Sequence, residues 1–411
     1  MSSGGGAIRQ TLAGPFGRYV AGNAVSLTGT WMQRTAVGWL AWELTRSPAW
    51  VGTIAFLDLA PSLLVAPLAG ALADRHDRRR LMAVAQCALA ALAGLLAVLA
   101  AAEVLSVAVL AAAVAAHGLL VGLNQPARLA FIPSLVPDAL LPTAVALNST
   151  VFNASRFVGP ALAGLLLAAF GPAPVFLANA LSYIAFLVAL RGLPSGDVKP
   201  AAAAGGLGAE VAEGVRLVLA AGPLRDLFLP LAASAVLVRP MGELLPAFAG
   251  GVLGRGPETL GLLSAAVGLG AGLAGFRLAS RPGRDQERAF RRGTLGSAAA
   301  LVLLALSPTL ALALPAAALT GVALATAGVS AQTLAQRAAP ERLRGRVMSL
   351  YGVVLRSVPA AGGLALGLLA EVVGLRAALV AGAVTFAAAW PFLATRSHPA
   401  APAVDSGPAR S

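Results

Sequence analysis

The chain is a succession of long apolar runs separated by short polar breaks. A membrane-crossing helix needs about 20 apolar residues. Twelve runs approach or exceed that length: 17–44, 48–73, 80–102, 105–127, 140–169, 173–192, 224–250, 258–280, 290–307, 309–333, 344–370 and 374–394. Turn-forming pairs punctuate them, at Ser47-Pro48, Gly171-Pro172, Gly256-Pro257 and Ser307-Pro308. Ser307-Pro308 is the only punctuation between the ninth and tenth runs. The expected fold is an all-α polytopic membrane protein with twelve transmembrane helices.

Composition agrees with the pattern. Hydrophobic residues make up 58% and charged residues 11%, with a mean hydropathy of +0.81, against about 25% charged in soluble domains. The formal charge of +13 raises the question of nucleic acid, and the positions of the charges answer it. Of 30 Lys+Arg, only Arg46, Arg255 and Arg376 fall on one set of connections. Arg34, Arg156, Arg239 and Arg356 fall inside runs, and the remaining 23 lie on the other set. Lys and Arg collect on the cytoplasmic side. The bias therefore predicts a multi-pass protein of the inner (cytoplasmic) membrane with both termini cytoplasmic, and no nucleic-acid partner. The one cysteine, Cys87, leaves no disulfide within the chain, and His76, His117 and His398 are too scattered for a metal site. Residues 1–15 lack an apolar core and a small-residue cleavage site, so a cleaved signal peptide is not expected.

The expected organisation is a cytoplasmic tail (1–15), a six-helix bundle (16–192), a cytoplasmic linker with a surface helix near 210–221 (193–223), a second six-helix bundle (224–395) and a disordered tail (396–411). The halves repeat in a register of 203 residues. Pro137/Pro340, Asp138/Glu341, Gly159/Gly362, Gly164/Gly367 and Gly171/Gly374 all match.

Charges inside the runs carry the functional reading. Each costs on the order of 2.5–3.5 kcal/mol at a helix centre, so Arg34, Asp58, Arg156, Arg239, Glu243 and Arg356 are expected to face an interior cavity or a partner. Arg239 and Glu243 are four apart and are expected to neutralise each other, on a helix that Pro240, Gly242 and Pro246 bend. Arg34 is the nearest candidate partner for Asp58. A carboxylate withdrawn from water holds a proton more readily, which makes Asp58 and Glu243 proton-carrier candidates. On the fifth run, Asn148, Phe152, Ser155 and Gly159 share one face, with Asn153, Arg156 and Pro160 beside it. Together with Gln33, Arg34, Arg239 and Arg356 these polar and aromatic residues are the expected lining of a substrate cavity. Four arginines against two carboxylates favour an anionic substrate, whereas Trp31, Trp39 and Phe152 suit a broader range of drug-like molecules. The only lysine, Lys199, precedes Pro200, so no phosphate-binding loop for ATP exists, and no hydrolase or metalloprotease motif appears. An enzyme is therefore not expected, nor any cofactor.

The turn at 70–80 packs six charges into residues 74–80. Its spacing, Gly70-x-x-x-Asp74-Arg75-x-x-Arg78-Arg79, resembles the signature loop between the second and third helices of major facilitator superfamily transporters. Stretches 30–34, 39–45, 146–164 with Asn179, 243–248 with 261–264, and 344–349 are similar to the branch that contains the enterobactin exporter and drug or secretion exporters. The resemblance implies two six-helix bundles that alternate access to a central site, proton-coupled export of small molecules driven by the proton gradient, and a monomer. It also implies a gate in which Asp74 pairs with Arg128 at the cytoplasmic ends of helices two and four. Asp58 and Arg356 lie outside the likeness. An importer of the same fold, a non-transporting receptor and an intramembrane enzyme are the alternatives.

Overall fold

The computed structural model describes residues 3–194, 215–216, 218–220, 222–280 and 285–393, with no strand among them. A short helix α1 (Ser3–Ala13) leads into α2 (Pro15–Thr45), α3 (Pro48–Arg75), α4 (Arg78–Ala101), α5 (Val107–Phe131), α6 (Leu141–Phe170) and α7 (Pro172–Leu190). The second half holds α8 (Gly222–Leu237), α9 (Met241–Ala247), a π turn (Phe248–Val252), α10 (Pro257–Ala279), α11 (Gln286–Leu306), α12 (Leu310–Ala338), α13 (Arg344–Arg356), α14 (Val358–Val373) and α15 (Leu375–Leu393). The C-terminal tail, most of the linker, and Arg281 and Arg284 lie outside the described residues.

Eleven stretches are long and apolar enough to cross a membrane; α8, α9 and the π turn form one of them, and α13 with α14 another. This is a multi-pass membrane protein. The twelfth expected span, α2, is not among the eleven although it is 31 residues long. Arg18, Arg34, Glu43 and a row of polar side chains dilute its apolar character. It packs against α6 and α7 nonetheless.

The sequence sets the helix ends locally. Ser47, Asp77, Ser106 and Asp285 accept first-turn backbone N–H groups from Trp50, Arg79, Val109 and Arg288. Proline opens α2, α3, α7 and α10, where a missing N–H costs nothing. Gly171 and Gly374 close α6 and α14 with φ of 76° and 83°, a conformation that a side chain would strain.

The 203-residue register is visible as repeated geometry. Short 3-10 turns occupy Asp138–Leu140 and Glu341–Leu343. Gly159 lies against Trp31 and Thr28 of α2, and Gly362 lies against Val236 of α8. Gly164 abuts Gly261 and Pro257 of α10, and Gly367 abuts Pro48 and Ala49 of α3. Each half thus packs its own fifth span on its own first, and on the second span of the other half. The copies differ in continuity. α2 and α6 are unbroken, while their counterparts break at 238–240 and at Ser357.

Among the described residues, the close glycine crossings between the halves run from midspan to one end. At that sealed end the α3–α14 crossing brings Gly52 onto the backbone of Gly363 and Leu364, and Trp42 lies against Gly250 and Gly251 of the π turn. The Glu371 carboxylate accepts from the Ser47 hydroxyl and, at 3.1 Å, from the Ala49 N–H, so an acid from α14 caps α3. At midspan Phe157 of α6 meets Gly268 of α10. Beyond midspan, toward the end rich in arginine, Leu63, Leu64 and Leu68 of α3 are exposed.

Candidate functional site

Five helices deliver ionisable side chains to midspan. Arg34 of α2 donates to both carboxylate oxygens of Glu243 on α9, at 3.0 and 3.1 Å. Its Nε lies 3.9 Å from Asp58 of α3. The other oxygen of Asp58 lies 2.8 Å from Nδ1 of His117 on α5. His117 Nε2 in turn lies 3.4 Å from the hydroxyl of Tyr183 on α7, itself 3.2 Å from the Thr30 hydroxyl. Gly118 permits this approach, since its missing Cβ would strike the Asp58 backbone. One arginine is thereby shared between a carboxylate of each half. The side chains of Arg34, Asp58 and Glu243 are 37%, 21% and 24% exposed, so water reaches the cluster.

Two further arginines border it. Arg156 lies over the Trp31 ring at 5.2 Å, with Arg34 over the same indole at 5.3 Å. Arg356 lies over Phe152 at 5.9 Å, and Phe152 meets Trp31 edge to face at 6.1 Å. Among the described residues neither Arg156 nor Arg356 forms an ion pair; their charge rests against aromatic faces. The arrangement is a cationic, aromatic-walled site beside an ion cluster.

Several expectations need correction. Arg239 and Glu243 do not neutralise each other. The break at 238–240 removes the i, i+4 register, Glu243 goes to Arg34, and Arg239 donates to the Leu324 carbonyl at 3.2 Å. Gln33 is buried within its own half, where its oxygen accepts from Asn179 at 2.8 Å. Asn153 is exposed and donates to Ser149 of its own helix at 2.8 Å. Asn148 sits lower, accepting from Asn23 at 2.9 Å.

At the arginine-rich end, Arg128 donates to Asn23 and lies 5.0 Å over Phe186, within its own half. Arg78 and Arg79 donate to the carbonyls of Ala130 and Leu193, at 3.1 and 2.7 Å. Arg75 is exposed at the end of α3, and outside its own helix turn no described atom lies within 4 Å of where a Gly70 Cβ would stand. The Asp74 side chain lies outside the described residues.

His117 is the site residue that sequence reasoning passed over. Its signal in the sequence is a lone imidazole in an apolar run, and three scattered histidines point to no metal site.

A multi-span bundle of two repeated halves, sealed at one end around a shared ion cluster, has the build of a transporter. The family model described as "Transmembrane secretion effector" matches residues 15–410, and the chain belongs to that family of major facilitator superfamily transporters. It is not an enzyme. It is 29% identical to the Staphyloferrin A transporter of Staphylococcus aureus over 167 residues, 40% of this chain and 42% of that one. The match thus spans less than half of that relative's length. It is 26% identical to the Multidrug efflux pump Tap of Mycolicibacterium fortuitum over 383 residues, 88% of each chain. In fold it is similar to a bacterial homologue of the iron transporter ferroportin in an inward-facing state. That likeness has a TM-score of 0.71 at 19% identity, covering 93% of this chain and 99% of that one.

Proposed function

We propose that this chain is a monomeric exporter of small anionic or amphipathic molecules. It works across the cytoplasmic membrane in exchange for protons, with both termini in the cytoplasm. On that orientation the open end faces the cytoplasm. The observation that carries the proposal is the sharing of Arg34 between Asp58 of one half and Glu243 of the other. A substrate anion entering from the open end meets Arg156 and Arg356 and competes with Glu243 for Arg34. Losing that partner loosens the midspan link, and the sealed end parts. The freed Glu243 takes a proton on the far side as the anion leaves. Remaking the Arg34–Glu243 bond on return expels that proton inward. Proton entry is thereby tied to anion exit.

The Staphyloferrin A transporter among the relatives supports an anionic, siderophore-like cargo. A broad drug exporter is the second reading, favoured by the Trp31–Phe152 wall and the efflux-pump relative. Purified protein in proteoliposomes tests both, with staphyloferrin A and a macrolide as probes and an imposed pH difference. Exchange predicts uptake of the anion into vesicles with an acid interior, lost in Glu243→Gln and in Asp58→Asn. Uptake favoured by an alkaline interior would refute exchange and make the protein a proton symporter.

A further inference from the structure

The N-terminal half holds a second polar feature that the cluster does not use. On α2, Ser26 and Thr30 continue the line of Asn23 toward Arg34 at spacings of three and four residues, one face of a helix. On α5, Asn124 lies between Arg128 and His117 in the same way. The ends of these two lines are joined: Arg128 donates to Asn23, and His117 reaches Thr30 through the Tyr183 hydroxyl. Between the joined ends, Ser26 Oγ, Asn124 Oδ1 and both polar atoms of Gln86 on α4 have no hydrogen-bond partner among the described residues. Ser26, Asn124 and Gln86 are 1%, 4% and 0% exposed. Gln86 lies one turn from Leu89 and Ala90, and Asn124 one turn from Leu120 and Val121. All four of those neighbours belong to, or pack against, the hydrophobic cluster that holds Tyr183.

Buried polar atoms in native proteins find partners, and where protein supplies none, internal water does. Four such atoms on three helices of one half, two of them on the lines between the hydrogen-bonded ends, call for internal water.

We propose that this half encloses a hydrated proton path from the arginine-rich end, at Arg128, to the Asp58–His117 pair, separate from the substrate cleft. The inference rests on the reading that transport is proton-linked. It gives the proton an exit other than the cleft that the next cargo enters. In the step itself, the proton that Glu243 releases on rejoining Arg34 crosses by water to the Asp58 carboxylate, which hands it to Nδ1 of His117. The Nε2–H passes to the water beside Tyr183, and each water hands on one proton as it receives one. The groups that act on the pair are Arg34 from α2, Tyr183 from α7 and, through Arg34, Glu243 from α9. α4 contributes the uncharged Gln86, and Arg128 marks the outer end.

Infrared difference spectra of the full-length protein in lipid nanodiscs, acid minus alkaline, in ordinary and oxygen-18 water, test this without any substrate. The path predicts oxygen-18-sensitive water bands that respond to pH. They vanish in Gln86→Leu, Ser26→Val and Asp58→Asn, and persist in Gln86→Asn and in the cleft control Leu64→Ala. Ser26→Val carries the same expectation should Gln86→Leu fail to fold. Absence of such bands in the wild type, or their survival in a folded Gln86→Leu or Ser26→Val variant, overturns the path. Coupling is read separately: pH-driven transport without the bands sinks the path alone, and the bands with transport indifferent to pH sink the coupling reading alone.

Discussion

Substituting Gly52 by alanine puts one methyl group into the seam that seals the far end. Its Cβ would stand 2.8 Å from the carbonyl carbon of Gly363 and 3.0 Å from Cα of Leu364, where carbon pairs settle at about 3.5–4.0 Å. Both obstacles are backbone, so no rotamer change relieves them, and the helices must separate by roughly 0.7 Å. Overpacking of this kind costs about 1–3 kcal/mol. Charged against the sealed state alone, it favours a parted state by about 5- to 150-fold. Gly363→Ala is the matched control, because its Cβ faces the Glu243 side chain at 3.4 Å, an ordinary contact. The assay is electron–electron distance measurement between spin labels at Val104→Cys and Thr309→Cys, both exposed at the sealed end, with the exposed Cys87 replaced by serine. The expected result is a new, longer distance population in Gly52→Ala and none in Gly363→Ala. A Gly52→Ala variant with the wild-type distribution would refute the assignment of this crossing as the seal.

Three further outcomes are expected. Replacing Arg156 and Arg356 together by glutamine should weaken binding of the anionic probe tenfold or more while leaving the macrolide within about threefold, read by quenching of tryptophan fluorescence; each charge-assisted bond contributes about 1.5–3 kcal/mol. Glu371→Ala removes the acid that caps α3 from the other half, a loss of about 1 kcal/mol, and should lengthen part of the Val104–Thr309 distribution. Asp74→Asn should abolish transport at unchanged membrane levels, measured by vesicle uptake and immunoblot; wild-type uptake would end the gate assignment.

Much of the fold was legible because membrane helices must be long, apolar and internally hydrogen-bonded. The break at Ser307-Pro308 falls where the turn chemistry placed it, and the register of the halves reappears in Gly159, Gly164 and their counterparts. α2 shows the limit of hydropathy. Its polar face is turned into its own half, so its apolar average understates its place among the spans. The site was legible as a set of residues and illegible as a set of partners. A charge inside an apolar run announces itself, but which charge it meets depends on helix rotation and on breaks. Arg239 and Glu243 look paired until the backbone turns between them. Arg34 and Glu243 are 209 residues apart, and no local rule joins them. The same holds for Asp58 and His117, and for Glu371 and Ser47.

The two backbone breaks occur in only one of the repeated halves, and each sits beside a midspan arginine, Arg239 or Arg356. The opposite half keeps unbroken rods and supplies Asp58, His117 and Arg34. The two copies of one architecture thus differ in kind: one is built of continuous rods, the other is jointed. In the proposed exchange, changes around 238–240 and 356–358, where the backbone already yields, act on Glu243 and the bordering arginines and leave the Asp58–His117 pair on the rigid side in place. On that proposal, cargo preference is set at the jointed half and the rods of the other half hold the pair that the proton visits.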